Sequence, residues 1–291
     1  MIDLHCHILP GVDDGAASLS VSLEMATVLV AQGVTVVACT PHILPGLYHN
    51  SGAAIRLAVQ DLQTVLDEKG IPLRLANGAD VHMAPDFIAG LRCGRLLSLA
   101  DSRYVLVEPP HYTAPPQLEE FFFELVLAGY VPILTHPERL SWVASRYRTI
   151  KRLVGAGVWM QITAASLSGG FGGNALYWAQ RMLEEGCVHL IASDAHDAER
   201  RPPDLAVGRD CAARRIGAEE ARRLVMERPL AILQDAPPSS LPRPCAGVAD
   251  AETAAPVEDA DPSQRSGTAR ADSRLDHDLR SRPRRLRRFF Q

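Results

Sequence analysis

Short apolar runs alternate with amphipathic stretches up to about residue 235, and this alternation constrains the fold more than any other feature. Apolar strands separated by helices are typical of a parallel sheet covered by helices. Seven such units predict an α/β fold whose sheet closes into a distorted (β/α)7 barrel. The predicted strands are 2–6, 34–40, 73–78, 104–108, 131–135, 158–163 and 188–193. Helical periodicity marks 19–32, 54–69, 85–91, 117–128, 146–155 and 175–185.

The repeating pattern stops after residue 235. Residues 236–291 are rich in Pro, Ala, Ser and acidic residues, have few large apolar side chains, and include a basic run at 280–288. Such a segment buries too little apolar surface to offset its ordering entropy. We therefore predict one domain, 1–235, followed by a disordered tail, 236–291, whose removal leaves the fold intact.

Composition restricts the class of protein. A hydrophobic fraction of 47% allows a large core, and a net charge of -4 gives no reason to expect a nucleic-acid partner. No apolar stretch is long enough to predict a transmembrane segment, and the N-terminus lacks the pattern of a secretory signal. The six cysteines are scattered without a C-x-x-C pair, which is typical of a reduced, cytoplasmic protein.

Residue types that bind metal ions occur where the predicted strands end. The first strand ends in His5-Cys6-His7, and alternate residues of a strand face the same side. Both imidazoles therefore reach one site, while Cys6 points the other way, into the packing. Catalytic groups of parallel barrels lie at the carboxyl ends of strands, so the sequence predicts a metal site there. The other residues of this kind are Asp14, His42, Asp80, Glu108, His136, Asp194 and His196.

Four further histidines lie off this pattern. We predict ordinary surface or loop roles for them rather than metal ligation, although His111 follows Glu108 closely and lies near the expected mouth of the site. These residues are His49, His82, His111 and His189.

Several motifs in order carry a family resemblance. They are MIDLHCHILPGVDDG at the start, T-P-H at 40–42, L-V-E at 106–108, T-H-P-E-R at 135–139, and A-S-D-A-H at 192–196 with R-P-P just after. This set resembles the PHP (polymerase and histidinol phosphatase) superfamily over about residues 1–235. Within it, the chain looks like the bacterial manganese-dependent protein-tyrosine phosphatases encoded with capsule and exopolysaccharide genes. The resemblance implies a PHP-type barrel that hydrolyses phosphate monoesters through a metal-bound hydroxide.

The resemblance also implies that each chain binds two or three divalent ions, and it implies which residues are their ligands. One ion would be held by His5, His7 and Asp194, a second by Glu108 and His136, and a third by Asp14, His42 and His196. Asp80 would bridge two ions, but the family usually has Glu there, one methylene longer. Manganese is expected, and the donor types also suit iron or zinc.

Two arginines are expected to bind the phosphoryl group, since guanidinium makes bidentate contacts with phosphate. The resemblance favours Arg139 and Arg201, with Arg200 as a rival to Arg201. A cysteine-based phosphatase is excluded because none of the six cysteines is followed by Arg six positions later, as C-x5-R requires.

The implied substrate is a phosphotyrosine protein, and the implied partner is an autophosphorylating bacterial tyrosine kinase of polysaccharide synthesis and export. Two alternatives stay open. One is a small-molecule phosphatase acting on a compound like histidinol phosphate. The other is a metal-binding regulatory module without turnover.

Overall fold

The computed structural model describes residues 1–246, in which strands and helices alternate as the sequence predicts. The strands are β1 (Ile2–Cys6), β2 (Val36–Cys39), β3 (His42–Ile43), β4 (Arg74–Asn77), β5 (Asp80–His82), β6 (Tyr104–Glu108), β7 (Val131–Thr135), β8 (Trp159–Thr163) and β9 (Leu190–Ala192). The helices are α1 (Leu19–Ala31), α2 (Gly52–Glu68), α3 (Phe87–Arg92), α4 (Leu118–Leu127), α5 (Val143–Gly155), α6 (Gly172–Glu184), α7 (Leu205–Ile216), α8 (Ala218–Arg222) and α9 (Arg228–Leu233). The last three helices were not predicted. None of the helices in the described part of the chain combines the length and the apolar character that crossing a bilayer requires.

All neighbouring strands are parallel and form a curled sheet. The order is β1-β2-β4 in one part and β3-β5-β6-β7-β8-β9 in the other. The chain that follows β9 returns beside β1, since the amide of Asp194 donates to the carbonyl of His5 at 2.8 Å and that of His7 to Ala195 at 2.9 Å. First and last strands thus meet, and the predicted α/β barrel is confirmed in a distorted form.

Two predicted strands, which correspond to β2 and β4, are each followed by a short strand that the sequence did not predict, β3 and β5. The strand predicted at 34–40 ends before Pro41, whose ring nitrogen cannot donate to a ladder. The strand predicted at 73–78 ends at Asn77, before Gly78, where a Cβ atom would lie 3.1 Å from Thr40 and 3.0 Å from Leu99. These two interruptions let the short strands β3 and β5 join the sheet that carries the rest of the site.

Strand residues alternate between two apolar clusters. The outer cluster lies between the sheet and the helices and contains Val105 and Val107 of β6. The inner cluster lies on the opposite face and contains Tyr104 and Leu106 of the same strand. Glu108 is two residues after Leu106 and therefore faces the same, inner side. The strand places its carboxylate at the carboxyl end of the sheet.

Strand β1 contains a bulge that re-aims its last residues. Residues i and i+2 of a regular strand share a face, yet Leu4 belongs to the inner cluster and Cys6 to the outer one. The pairing with β2 shifts register between Asp3 and Cys6, which accounts for the change. His5 and His7 therefore face the inner side, and the prediction that Cys6 points into the packing is confirmed.

The segment after α9 contacts the amino end of the barrel. The Tyr104 hydroxyl donates to the carbonyl of Ala236 at 2.7 Å, and the buried Arg228 guanidinium donates to the carbonyl of Pro242 at 3.2 Å. Leu241 packs against the inner cluster. Residues 236–246 thus share the packing of the barrel, and the rest of the predicted tail lies outside the described residues. The division at 235 stays a prediction.

Because Ala236 and Pro242 accept hydrogen bonds from the barrel, we expect removal of the whole tail to lower stability, contrary to the prediction from sequence. Two truncations compare residues 236–246 with the rest of the tail. Ending the chain after Gln234 removes the carbonyl acceptors of Tyr104 and Arg228, and buried donors that lose their acceptors cost on the order of 2 kcal/mol. The melting temperature should fall by about 4–8 °C, measured by circular dichroism. Ending the chain after Ala246 keeps those contacts and should change the melting temperature little. Equal melting temperatures for both truncations would show that residues 236–246 add nothing.

Candidate metal centre

All nine predicted metal ligands lie at one edge of the sheet, because the carboxyl ends of parallel strands meet there. Eight lie within or shortly after the strands β1, β3, β5, β6, β7 and β9, and Asp14 comes from the loop after β1. Two of these positions require unusual backbone, since His136 and Asp194 have φ values of 34° and 51° shortly after their strands. Left-handed backbone in a residue other than glycine is costly and concentrates at functional sites.

The first group of donor atoms surrounds the imidazoles of β1. His5 Nε2 lies 3.5 Å from Asp80 Oδ2 and 3.5 Å from Asp194 Oδ1, while His7 Nε2 lies 3.4 Å from Asp194 Oδ1. These separations are too long for good hydrogen bonds. Two ligand atoms each about 2.1 Å from one ion lie roughly 3–3.5 Å apart, so the spacing suits donors that share a cation.

The other predicted groups have the same spacing. Glu108 Oε1 lies 3.5 Å from His136 Nε2. Asp14 Oδ1 lies 3.5 Å from Nε2 of both His42 and His196. The structure therefore brings together every residue of the three sets expected from the motifs.

Several buried polar atoms of the cluster have no hydrogen-bond partner. They include both carboxylate oxygens of Asp80, Nδ1 of His136 and Nε2 of His196. An unpaired buried polar atom costs free energy, most of all on a carboxylate. Burial, with Glu108 and Asp194 nearby, raises the pKa of Asp80 well above its usual value, and burial lowers the pKa of His5 to about 3. A divalent cation would satisfy the Asp80 oxygens and His196 Nε2, so the residues present fit a metal centre.

Two residues outside the predicted set orient the β1 imidazoles. His5 Nδ1 is 2.9 Å from Gln161 Oε1, and His7 Nδ1 is 2.7 Å from Asp13 Oδ2. Each contact leaves Nε2 free for a metal, which is how outer partners fix the tautomer of a ligating histidine. Gln161 was missed, and its signal was the single amide of β8, between the apolar residues Met160 and Ile162. Only glycine fits at position 15, close to Asp13, since a Cβ atom there would lie 2.2 Å from the carbonyl oxygen of His7.

Both predicted arginines reach the cluster through Asp194. Arg139 forms an ion pair with Asp194 Oδ2, and Arg201 Nη2 donates to the same oxygen at 2.7 Å. The Arg139 guanidinium also lies 4.1 Å from the ring centre of Phe171. Arg200 is exposed, so of the two neighbours it is Arg201 whose side chain faces the site.

Placement of the remaining histidines corrects part of the prediction. His49 is exposed in a loop, as expected. His189 is buried, with Nδ1 accepting from the Met160 amide at 3.1 Å, so a surface role is wrong for it. His82 lies in β5 as an ion pair with Glu108, and His111 has a ring nitrogen within 4.8 Å of donor atoms of Glu108 and His136. Both lie at the site rather than away from it.

The fold and this cluster define the class, a parallel α/β barrel with a candidate polynuclear metal centre at the carboxyl edge of its sheet. The chain belongs to the CpsB/CapC family of capsular polysaccharide synthesis, whose model matches residues 1–234. This match confirms the resemblance to the capsule type.

Two curated relatives match this chain over most of their own length. The tyrosine-protein phosphatase YwqE of Bacillus subtilis is 39% identical over 69% of this chain and 79% of its own. The putative tyrosine-protein phosphatase CapC of Staphylococcus aureus is 33% identical over the same shares.

A solved structure agrees with the fold. It comes from work on YwqE of Bacillus subtilis and CpsB of Streptococcus pneumoniae, described there as unique metal-dependent tyrosine phosphatases. It matches this chain with a TM-score of 0.78 and 34% identity, over 81% of this chain and 96% of that one.

Proposed function

We propose that this chain is a metal-dependent phosphotyrosine-protein phosphatase with manganese as its metal. The observation that carries the proposal is the nine-residue cluster, whose donor atoms are spaced for shared cations and include the unpaired, fully buried carboxylate of Asp80. Family membership and the named activities of the relatives support the same reaction.

The proposed ligand sets follow the three groups of donor atoms. Two or three divalent ions would be held by His5, His7, Asp14, His42, Asp80, Glu108, His136, Asp194 and His196. When bound, such ions supply positive charge to the phosphoryl oxygens and make hydroxide available at neutral pH.

Asp194 links the two halves of the proposed site. Its Oδ1 faces His5 and His7, while its Oδ2 accepts from Arg139 and Arg201. One carboxylate thereby positions both guanidinium groups beside the cluster, where they bind phosphoryl oxygens and stabilise the charge that develops during transfer. Phe171 holds the Arg139 guanidinium against its ring face.

The partial exposure of the edge of the cluster supports a substrate carried on a protein. The Asp14 side chain is 47% exposed and that of Arg201 29% exposed, while Asp80 and His5 are fully buried beneath them. The proposed substrate is a phosphotyrosine protein, in particular an autophosphorylating tyrosine kinase of polysaccharide synthesis or export in the cytoplasm.

A comparison of two phosphate esters tests the substrate class. We expect kcat/KM for a phosphotyrosine peptide to exceed that for histidinol phosphate by about tenfold or more, because tyrosine, with a pKa of about 10, is a better leaving group than an alkyl alcohol. The assay measures phosphate release by the manganese-loaded enzyme, with His136→Ala as the background control. Higher kcat/KM for histidinol phosphate would make the chain a small-molecule phosphatase instead.

A further inference from the structure

Strand β5 delivers a second donor besides Asp80 to the same side of the sheet. Val81 is buried in the outer cluster, so its neighbours Asp80 and His82 face the inner side. His82 pairs in register with Glu108 of the adjacent strand β6. The strand geometry thus places an imidazole beside the carboxylate of Glu108, at the rim of the cluster.

The contacts of His82 make a fourth group of donor atoms. Its Nε2 forms an ion pair with Glu108 Oε2, and His42 Nδ1 lies 3.4 Å from the same oxygen. Donor atoms of His42, His82 and Glu108 all lie within 4.8 Å of one another. None of the three ligand sets described above includes His82.

This group adjoins the least satisfied residue of the site. His42 Nδ1 also lies 3.4 Å from Asp80 Oδ2, and both Asp80 oxygens are buried without a hydrogen-bond partner. Asp80 has a short side chain and is fully buried, whereas His82 is 20% exposed. His82 therefore presents an imidazole nitrogen to the cluster from a position nearer the solvent than Asp80.

We propose that His82 is a metal ligand of this chain, which binds a divalent cation through Nε2 together with Glu108. This inference rests on the proposed metal centre and adds a donor to it. Imidazole with carboxylate is a donor set suited to manganese, iron or zinc. Glu108 then lies between two groups, with Oε1 toward His136 and Oε2 toward His82 and His42.

Metal binding by the full chain tests the assignment without relying on turnover. The chelated protein is titrated with Mn²⁺ by calorimetry, and Co²⁺ is added separately to record its visible absorption. We expect His82→Ala and His82→Gln each to weaken binding of at least one Mn²⁺ by about tenfold or more, since loss of even an outer partner costs 10–100-fold. Both should also change the Co²⁺ spectrum. His49→Ala, at an exposed histidine in a loop, is the matched control and should bind both metals as the unaltered chain does.

The glutamine variant separates ligation from positioning. The amide introduced by His82→Gln would still offer a hydrogen bond to Glu108 but is a poor ligand, so recovery of Mn²⁺ affinity and of the Co²⁺ spectrum in this variant would overturn the proposal. Unchanged binding in His82→Ala would also overturn it. If the unaltered chain bound no metal, the proposed metal centre would be wrong. If the chain bound metal equally well without His82, only the role of His82 would be wrong.

Discussion

Chelation of divalent ions is expected to abolish turnover of an aryl phosphate by this chain, and Mn²⁺ is expected to restore it. Removal of the ions takes away several kcal/mol of charge stabilisation, so the rate should fall by on the order of a thousandfold or more. The basis is the ligand cluster and its unpaired buried atoms at Asp80 and His196. Release of phosphate is measured before chelation, after it, and after add-back, with metal content determined on each sample.

Thiol alkylation is the control for this experiment. No cysteine is followed by Arg at the spacing that a cysteine-based phosphatase needs, and Cys6 and Cys39 are buried, with burial raising the pKa of the Cys6 thiol well above its usual value. Activity should therefore survive alkylation. Full activity of metal-free protein would contradict the proposed function. Metal binding without turnover would instead support the regulatory module.

Replacement of Arg139 should lower the rate without emptying the metal centre. In Arg139→Ala, the loss of a contact to a charged phosphoryl group costs on the order of 3 kcal/mol, or about a hundredfold in kcat/KM. Metal content should stay the same, because Arg139 contacts Asp194 through Oδ2 and leaves Oδ1 with His5 and His7. Arg201→Ala should behave alike, since it donates to the same oxygen.

His136→Ala and Arg200→Ala are the matched comparisons. His136→Ala should lose metal as well as rate, because His136 Nε2 and Glu108 Oε1 form one donor group. Arg200 is exposed, so Arg200→Ala should keep nearly full activity. Metal analysis distinguishes the Arg139 and His136 variants, since the rate falls in both. If Arg139→Ala lost its metal or unfolded, Arg139 would be a structural residue and not a phosphoryl-binding one.

Local pattern was enough to predict much of the fold. The strands β1, β6, β7 and β8 and the helices α1 and α4 lie within about two residues of the predicted bounds, because apolar runs and helical periods are local properties of the chain. Helices α7 to α9 were missed. Their apolar residues include Leu205, Ala221 and Ile232, which are buried by contacts with distant elements rather than marked by a strong local period.

We predicted the position of the ligands from one rule of parallel sheets. Residues that end different strands meet at one edge, so His5, Glu108 and Asp194 were placed together from sequence spacing alone. Their roles as metal ligands stay a prediction. The sequence did not predict Gln161 or His82 at the site, since each acquires its partner only in the folded sheet, Gln161 from β1 and His82 from the adjacent β6.

By itself, the sequence determined the alternation of strands and helices, the residue types at the strand ends and the motifs of the family. Only the tertiary structure decided which face each donor takes. The bulge of β1 turns His5 inward after Leu4, and the breaks at Pro41 and Gly78 bring β3 and β5 into the sheet. These features depend on register between segments far apart in the chain. Local periodicity contains no information about that register.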